Sequence, residues 1–155
     1  MTEIAFENAI ARISTHENVL VLRWADAPRG VGELREFEKI GRKLTSAHDK
    51  KAILASVIVS GTPKFSQEAR DEVTRLTRTP MFHLGTAQII LVGGLAGVAV
   101  RAFLSTSVLI ARPSTPTKVF AQLDPGIDWI EGRLREGPVS WTRGDLAAFM
   151  NRAVA

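Results

Sequence analysis

Ser60, Thr62 and Ser66 carry hydroxyl groups at which phosphorylation would change the charge next to a predicted helix. They follow the apolar run 52–59 and precede an amphipathic pattern, so we expect them where a strand turns into a helix. A phosphate there would add roughly −1.5 to −2 of charge beside a helix N-terminus, which favours anions. With Gly61, the same residues also suit a plain turn in which Ser66 caps the helix. The segment predicts either a phospho-regulated partner loop or a structural turn.

The remaining reactive residues do not form a catalytic or metal-binding pattern. His16, His48 and His83 are the only histidines, and none stands at ligand spacing from another candidate. The chain has no cysteine, which excludes thiolate chemistry and Cys-ligated metals. No serine lies in a Gly-x-Ser-x-Gly elbow, and the clustered acids lie on predicted helices with charged faces. We therefore expect no enzymatic activity and no cofactor.

A glycine pair, Gly93-Gly94, separates an apolar segment of strand length from one of helix length. The pair precedes a helix as phosphate loops do, but the spacing fits neither Gly-x-Gly-x-x-Gly nor Gly-Lys-Ser/Thr. A tight turn explains it, and an anion at the helix start is the alternative. In the following helix Arg101 is predicted to point outward. The inward side is predicted to comprise Leu95, Val98, Ala99, Ala102 and Phe103.

Two of the three tryptophans are candidates for a binding surface. Trp24 ends a predicted strand and Trp141 opens the C-terminal extension, whereas Trp129 is predicted to lie in the core. Trp24 and Trp141 either contact a partner or join the two ends of the chain. A possible partner or ligand surface therefore comprises Trp24, Gly93, Gly94, Arg101, Phe103 and Trp141.

The elements that position these residues alternate between strands and helices. Ile4–Ile13 and Val19–Trp24 are predicted to form a hairpin, and the apolar runs 52–59 and 87–92 to form buried strands. Helices between later strands imply mostly parallel pairing. We expect an α/β fold with the order β-β-α-β-α-β-α-β-α and a short final helix. Asp124, before Pro125, is predicted to cap the fourth helix, and Thr142 the final one. Four to five strands should form a mixed sheet with the helices packed against it.

Length and composition bound the class of protein. The 155 residues, 45% hydrophobic and 23% charged, fit one globular domain. We assign residues 1–136 to it and 137–155 to a C-terminal helical extension of the same domain. The net charge of +4 is dispersed, which argues against nucleic-acid binding. Arg101 interrupts the apolar stretch Gln88–Ala111, which argues against a stable membrane span. No signal peptide is recognisable, and a cytoplasmic location is expected.

The second half of the chain resembles the bacterial SpoIIAA-like family. The resemblance rests on Gln88-Ile89-Ile90-Leu91-Val92-Gly93-Gly94, an Ala-rich helix, Pro116-Thr117-Lys118-Val119-Phe120 and Ile127-Asp128-Trp129-Ile130. The order of elements over about the first 135 residues agrees with it. The resemblance implies a STAS-type sheet, related to CRAL-TRIO lipid-transfer lobes.

What this resemblance implies for function is a non-enzymatic, regulatory protein-interaction module, either homodimeric or bound to another protein. STAS anti-sigma-factor antagonists carry an Asp-Ser-(Ser)-Gly signature with a phosphorylated serine, and Ser60-Gly61 stands at the matching place. Val59 replaces the aspartate and Pro63 delays the helix, which departs from that signature. The alternative is an apolar small-molecule or lipid-binding protein that uses the helix Leu95–Leu109 as a lid. An enclosed apolar cavity under that helix would favour the alternative, and an exposed apolar patch the interaction module.

Overall fold

The computed structural model describes residues 3–28, 30–61, 66–111 and 113–155, and it contains a mixed α/β fold. Its strands are β1 (Glu3–Glu7), β2 (Ala11–His16), β3 (Val19–Trp24), β4 (Ile53–Ile58), β5 (Gly85–Ile90) and β6 (Thr117–Phe120). Its helices are α1 (Val31–Ala47), α2 (Gln67–Arg78), α3 (Gly94–Ala111), α4 (Leu123–Leu134) and α5 (Arg143–Val154). The expected α/β class is confirmed.

The six strands form one sheet in the order β1-β2-β3-β4-β5-β6. β1, β2 and β3 pair antiparallel, whereas β3 through β6 pair parallel. Helices α1, α2 and α3 connect consecutive parallel strands. Because such crossovers are right-handed and the strand order advances in one direction, these three helices lie on the same face of the sheet. α4 and α5 cover the opposite face.

Strand β4 is the centre of the fold, as the continuous apolar run predicts. All six of its residues are buried. Ile53, Ala55 and Val57 pack with α4 and α5 in one core cluster, and Leu54 and Ile58 pack with α1 and α2 in the other. The two-residue repeat of a strand therefore divides the apolar side chains between two cores.

The predicted number of strands is wrong because the segment Ile4–Ile13 contains a turn. Asn8 Oδ1 accepts hydrogen bonds from the backbone N–H groups of Ile10 and Ala11, at 2.8 and 2.9 Å. This Asx-type turn ends β1 and starts β2, so the sheet has six strands instead of four to five, and the order begins with three. Asn8 Nδ2 also donates to the buried Glu33 at 3.0 Å, which ties the turn to α1.

Two helix starts agree with the sequence and one does not. Ser66 Oγ accepts from the Ala69 N–H, and Thr142 Oγ1 accepts from the Asp145 N–H, so both predicted caps are present. The predicted cap at Asp124 is wrong, because α4 begins at Leu123. Asp124 lies within the first turn of α4, where its carboxylate interacts favourably with the helix dipole but does not cap the helix.

The C-terminal extension packs into the core. Leu146, Phe149 and Met150 of α5 are fully buried against β2 and β3. Arg23 Nε and Arg12 Nη1 donate to the carbonyl oxygens of Val154 and Ala155 at 2.8 and 2.9 Å. These contacts satisfy carbonyl groups that the end of a helix leaves without intrahelical partners.

Candidate docking surface

Helix α3 presents an apolar face to solvent. The exposed fractions of its large side chains are 88% for Leu95, 57% for Val98, 70% for Phe103 and 76% for Leu109. Their spacing places them on one side of the helix. We call this side, with the small residues between them, the outer face of α3. Contiguous exposed apolar patches of this kind mark interaction sites in folded proteins.

The prediction that this side of α3 faces inward is wrong. Val100 and Leu104 of the opposite side pack against the core, and Arg101 is half-buried instead of pointing outward. Arg101 Nη1 donates to the carbonyl oxygens of Ile90 and Val92 at 3.1 and 3.0 Å. Because both sides of α3 are apolar, hydrophobic periodicity could not decide its rotation. The Ile90 carbonyl group at the end of β5 and the Val92 carbonyl group in the following turn determine the rotation of α3, because both accept hydrogen bonds from the guanidinium.

The glycines around the start of α3 serve backbone geometry. Gly94 has φ +67°, a conformation that favours glycine. A Cβ atom at Gly97 would lie 1.8 Å from the Val92 carbonyl oxygen and 2.9 Å from Arg101 Nη1. The first turn of the helix therefore approaches the Val92 carbonyl group, which follows β5, closely only because Gly97 lacks a side chain. This arrangement agrees with the turn interpretation of Gly93-Gly94.

The outer face lies at one end of the sheet. α3 packs on β5 and β6, and β6 is the outermost strand on that side. The surrounding elements leave Leu95 and Leu109, near the two ends of the helix, almost fully exposed. A second surface can therefore reach the outer face from Leu95 to Leu109.

The described part of the predicted phospho-switch loop has an acidic side chain beside it. Ser60 is exposed two residues after the end of β4, and Thr62 lies outside the described residues. Gly61 has φ +75°, and a Cβ atom there would lie 2.0 Å from Asp26 Oδ1. Ser66 uses its hydroxyl as the cap of α2. The Asp26 carboxylate beside Gly61 would repel a phosphate on Ser60. Phosphorylation in this segment stays a prediction.

The two candidate tryptophans both face the interior. Trp24 is only 4% exposed and belongs to the core under α1, which contradicts its assignment to a partner surface. Trp141 is half-buried, and its Nε1 donates to Oδ1 of the fully buried Asn18 at 2.9 Å. Its ring also contacts His16 and Phe149. Trp141 therefore joins the N-terminal hairpin to α5, which is one of the two roles that the sequence allowed for it. No sequence pattern indicated Asn18 as its hydrogen-bond acceptor.

No metal-binding cluster of three or more His, Cys, Asp or Glu side chains occurs among the described residues. His16 packs between aromatic rings, and His48 Nδ1 lies 3.0 Å from the Leu44 carbonyl oxygen in its own helix. A cleft of about 260 Å³ lies away from α3. Its walls are Glu131, Leu134, Arg135, Gly137, Val139, Ser140 and Trp141. This volume falls below the ~300–1,000 Å³ typical of small-molecule sites.

A cluster of three charged side chains links α1 and α2. Arg75 of α2 forms ion pairs with Glu72 and, at 2.8 Å, with Glu38 of α1. The hydrogen bond from Arg75 lowers the pKa of Glu38 and of Glu72, and these carboxylates raise the pKa of Arg75. All three side chains remain partly solvated, so the group is a surface tie between α1 and α2.

Comparisons with protein-family models, curated proteins and solved structures give no match. Within the described ranges, no helix combines the length and the apolar character needed to cross a membrane.

Proposed function

We propose that the protein is a non-enzymatic, cytoplasmic interaction module of the STAS or SpoIIAA-like type that binds a protein partner through the outer face of α3. The observation that supports this proposal is the exposure of Leu95, Val98, Phe103 and Leu109 on one side of one helix. A helix that is apolar on both sides is normally buried on both sides. In this chain the sheet covers one side, and a partner would cover the other.

The energetics favour such a partner. Full burial of an aliphatic or aromatic side chain of this size contributes about 1.5–3 kcal/mol. Several such side chains on a rigid helix form the kind of apolar centre that dominates protein interfaces. Because Arg101 is held on the Ile90 and Val92 carbonyl groups, docking would not need to desolvate a free charge of this helix.

The alternative role, an apolar-ligand protein with α3 as its lid, has less support. A lid would direct Leu95, Val98 and Phe103 toward the sheet to line a cavity, whereas these side chains face solvent. The cleft of about 260 Å³ lies against α4 and is bordered by the ion pair of Glu131 and Arg135. Neither feature provides an enclosed apolar site beneath α3.

Native mass spectrometry of the protein purified from its own cells tests the proposal. Val98→Glu places a charge in the outer face of α3, and Ser46→Glu places the same charge on the exposed side of α1 as a control. We expect the wild type and Ser46→Glu in a defined protein complex, and Val98→Glu as a lone chain. An unchanged complex in Val98→Glu, or a stoichiometric lipid-sized mass on the wild type, would overturn the proposal.

A further inference from the structure

The outer face of α3 has a nearly symmetric arrangement about Ala102. Leu95 and Leu109 lie seven residues before and after it, Val98 and Thr106 four residues, and Ala99 and Ser105 three residues. All seven side chains are exposed. Read from either direction, the face has a leucine at its end and small residues around its centre. Positions three, four and seven residues apart are those that a helix presents to a partner helix.

This arrangement fits a second helix of the same sequence running in the opposite direction. Leu95 of one copy would then contact Leu109 of the other, and Ala102 would meet Ala102 on the two-fold axis. The small side chains at the centre would let the helix axes approach to about 8 Å, the close end of the usual range. Antiparallel helices also oppose their dipoles favourably. Each copy would present the same patch to the other, as a closed two-fold dimer requires.

The charge of the helix favours a second copy over an unrelated partner. Arg101 is the only charged residue of α3, and the Ile90 and Val92 carbonyl groups bind it. The outer face therefore offers no charge by which a partner of opposite sign would be selected. A like face meets no repulsion there, although each chain carries a net charge of +4 elsewhere.

The exposed area also suits a dimer. Leu95, Val98, Phe103 and Leu109 together expose on the order of 500 Å², taking roughly 150–250 Å² for a fully exposed large side chain. The alanine and hydroxyl side chains between them extend this area toward the ~800 Å² per partner of a standard interface. We infer that the partner of the outer face is a second copy of this chain, docked through an antiparallel α3–α3 contact centred on Ala102. This inference rests on the proposed function and specifies its partner.

Single-cysteine variants test the register, because the natural chain has no cysteine. Under mild oxidation we expect Ala102→Cys to form a covalent dimer, since the two Cα atoms would lie within the ~4.4–6.8 Å of a disulfide. Leu95→Cys alone should stay uncrosslinked, and a mixture of Leu95→Cys with Leu109→Cys should give a mixed dimer. Ser46→Cys on α1 is the matched exposed control and should remain uncrosslinked. Efficient self-crosslinking of Leu95→Cys would contradict the antiparallel register.

Sedimentation velocity of the purified, uncrosslinked protein separates this inference from the proposed function. We expect a wild-type dimer at micromolar concentration, and about tenfold or more weaker association in Val98→Glu with unchanged stability. The second-copy inference would be overturned if the wild type were a monomer and Val98→Glu lost its complex with a different protein. The proposed function would then remain valid. If Val98→Glu altered neither self-association nor any other complex, both would fail.

Discussion

Gly97 has two neighbours that determine how α3 lies on the sheet. The Val92 carbonyl oxygen and Arg101 Nη1 occupy the space that a side chain at this position would fill. The same Arg101 nitrogen binds that carbonyl oxygen at 3.0 Å. These residues hold the sheet side of α3 against β5, and this contact keeps the outer face directed to solvent.

A glycine-to-alanine pair tests this close approach. Gly97→Ala should lower the free energy of unfolding by about 1–3 kcal/mol, because an added methyl group forces the first turn of α3 away from the Val92 carbonyl group. Gly132→Ala in α4 should raise it by about 0.5–1 kcal/mol, because nothing lies within 4 Å of that position and alanine is the better helix former. Urea denaturation measures both changes. An increase in the free energy of unfolding for Gly97→Ala as well would show that Gly97 is not at a critical contact.

At the residue level, local hydrogen-bonding preferences were predictable and tertiary contacts were not. The caps at Ser66 and Thr142 follow from hydroxyl groups that accept from nearby N–H groups of their own helices. Arg101 could not be placed in the same way, because its acceptors belong to β5 and the turn after it. The position of Trp24 at the end of a strand is compatible with a partner surface or with the core, and its burial with α1 residues depends on tertiary contacts.

Between elements, α1 and α2 are connected by charge as well as by apolar contacts. Glu38 of α1 accepts from both Arg42 and Arg75, and Arg75 of α2 also pairs with Glu72. The bond from Arg75 lowers the pKa of Glu38 below its ordinary value of 4.5, although partial desolvation acts in the opposite direction. The carboxylate form is therefore favoured in the folded state.

This lowered pKa predicts how stability depends on pH. Because the folded pKa of Glu38 lies below the unfolded one, its contribution is present above about pH 4.5 and is lost as the pH falls through the folded pKa. A double-mutant cycle of Glu38→Gln and Arg75→Met should give a favourable coupling free energy at about pH 7. That coupling should weaken as the pH falls from about 7 through the folded pKa of Glu38, as urea denaturation over a series of pH values would show. A coupling independent of pH would contradict the ion-pair assignment.

Element type was predictable from hydrophobic periodicity, but the rotation of one helix was not. β4 shows a continuous apolar run and is buried on both sides, as expected. The extra strand came from Asn8, whose side chain makes a turn inside an apparently continuous segment. α3 has apolar residues all around, so its sequence was equally compatible with either side facing the sheet. Here the close approach at Gly97 and the carbonyl groups that bind Arg101 favour the observed rotation.

Considered as a whole, the molecule has two apolar cores that share one sheet. The core opposite α1 and α2 is completed by α5, whose Leu146, Phe149 and Met150 are fully buried. Trp141 and Asn18 connect the start of this helix to the β2–β3 turn. The extension after residue 136 therefore stabilises the sheet that the earlier residues form.

Substitutions in α5 measure how much that helix stabilises the whole chain. Phe149→Ala should lower the free energy of unfolding by about 3–5 kcal/mol, the range for truncation of a buried phenylalanine. Asn151→Ala, on the exposed side of the same helix, should change it by less than about 0.5 kcal/mol. Both values come from urea denaturation followed by circular dichroism. A small change in Phe149→Ala would mean that α5 is peripheral to the fold.

The two sides of α3 are also separate targets for natural selection. Gly97, Val100, Arg101 and Leu104 meet the rest of the chain, so changes there would be removed because they impair folding. Leu95, Val98 and Leu109 belong to neither core cluster, so the chain can exchange them at little cost to its own stability. A lineage carrying this domain could therefore acquire a new binding specificity by mutation of one helical surface while its architecture is preserved.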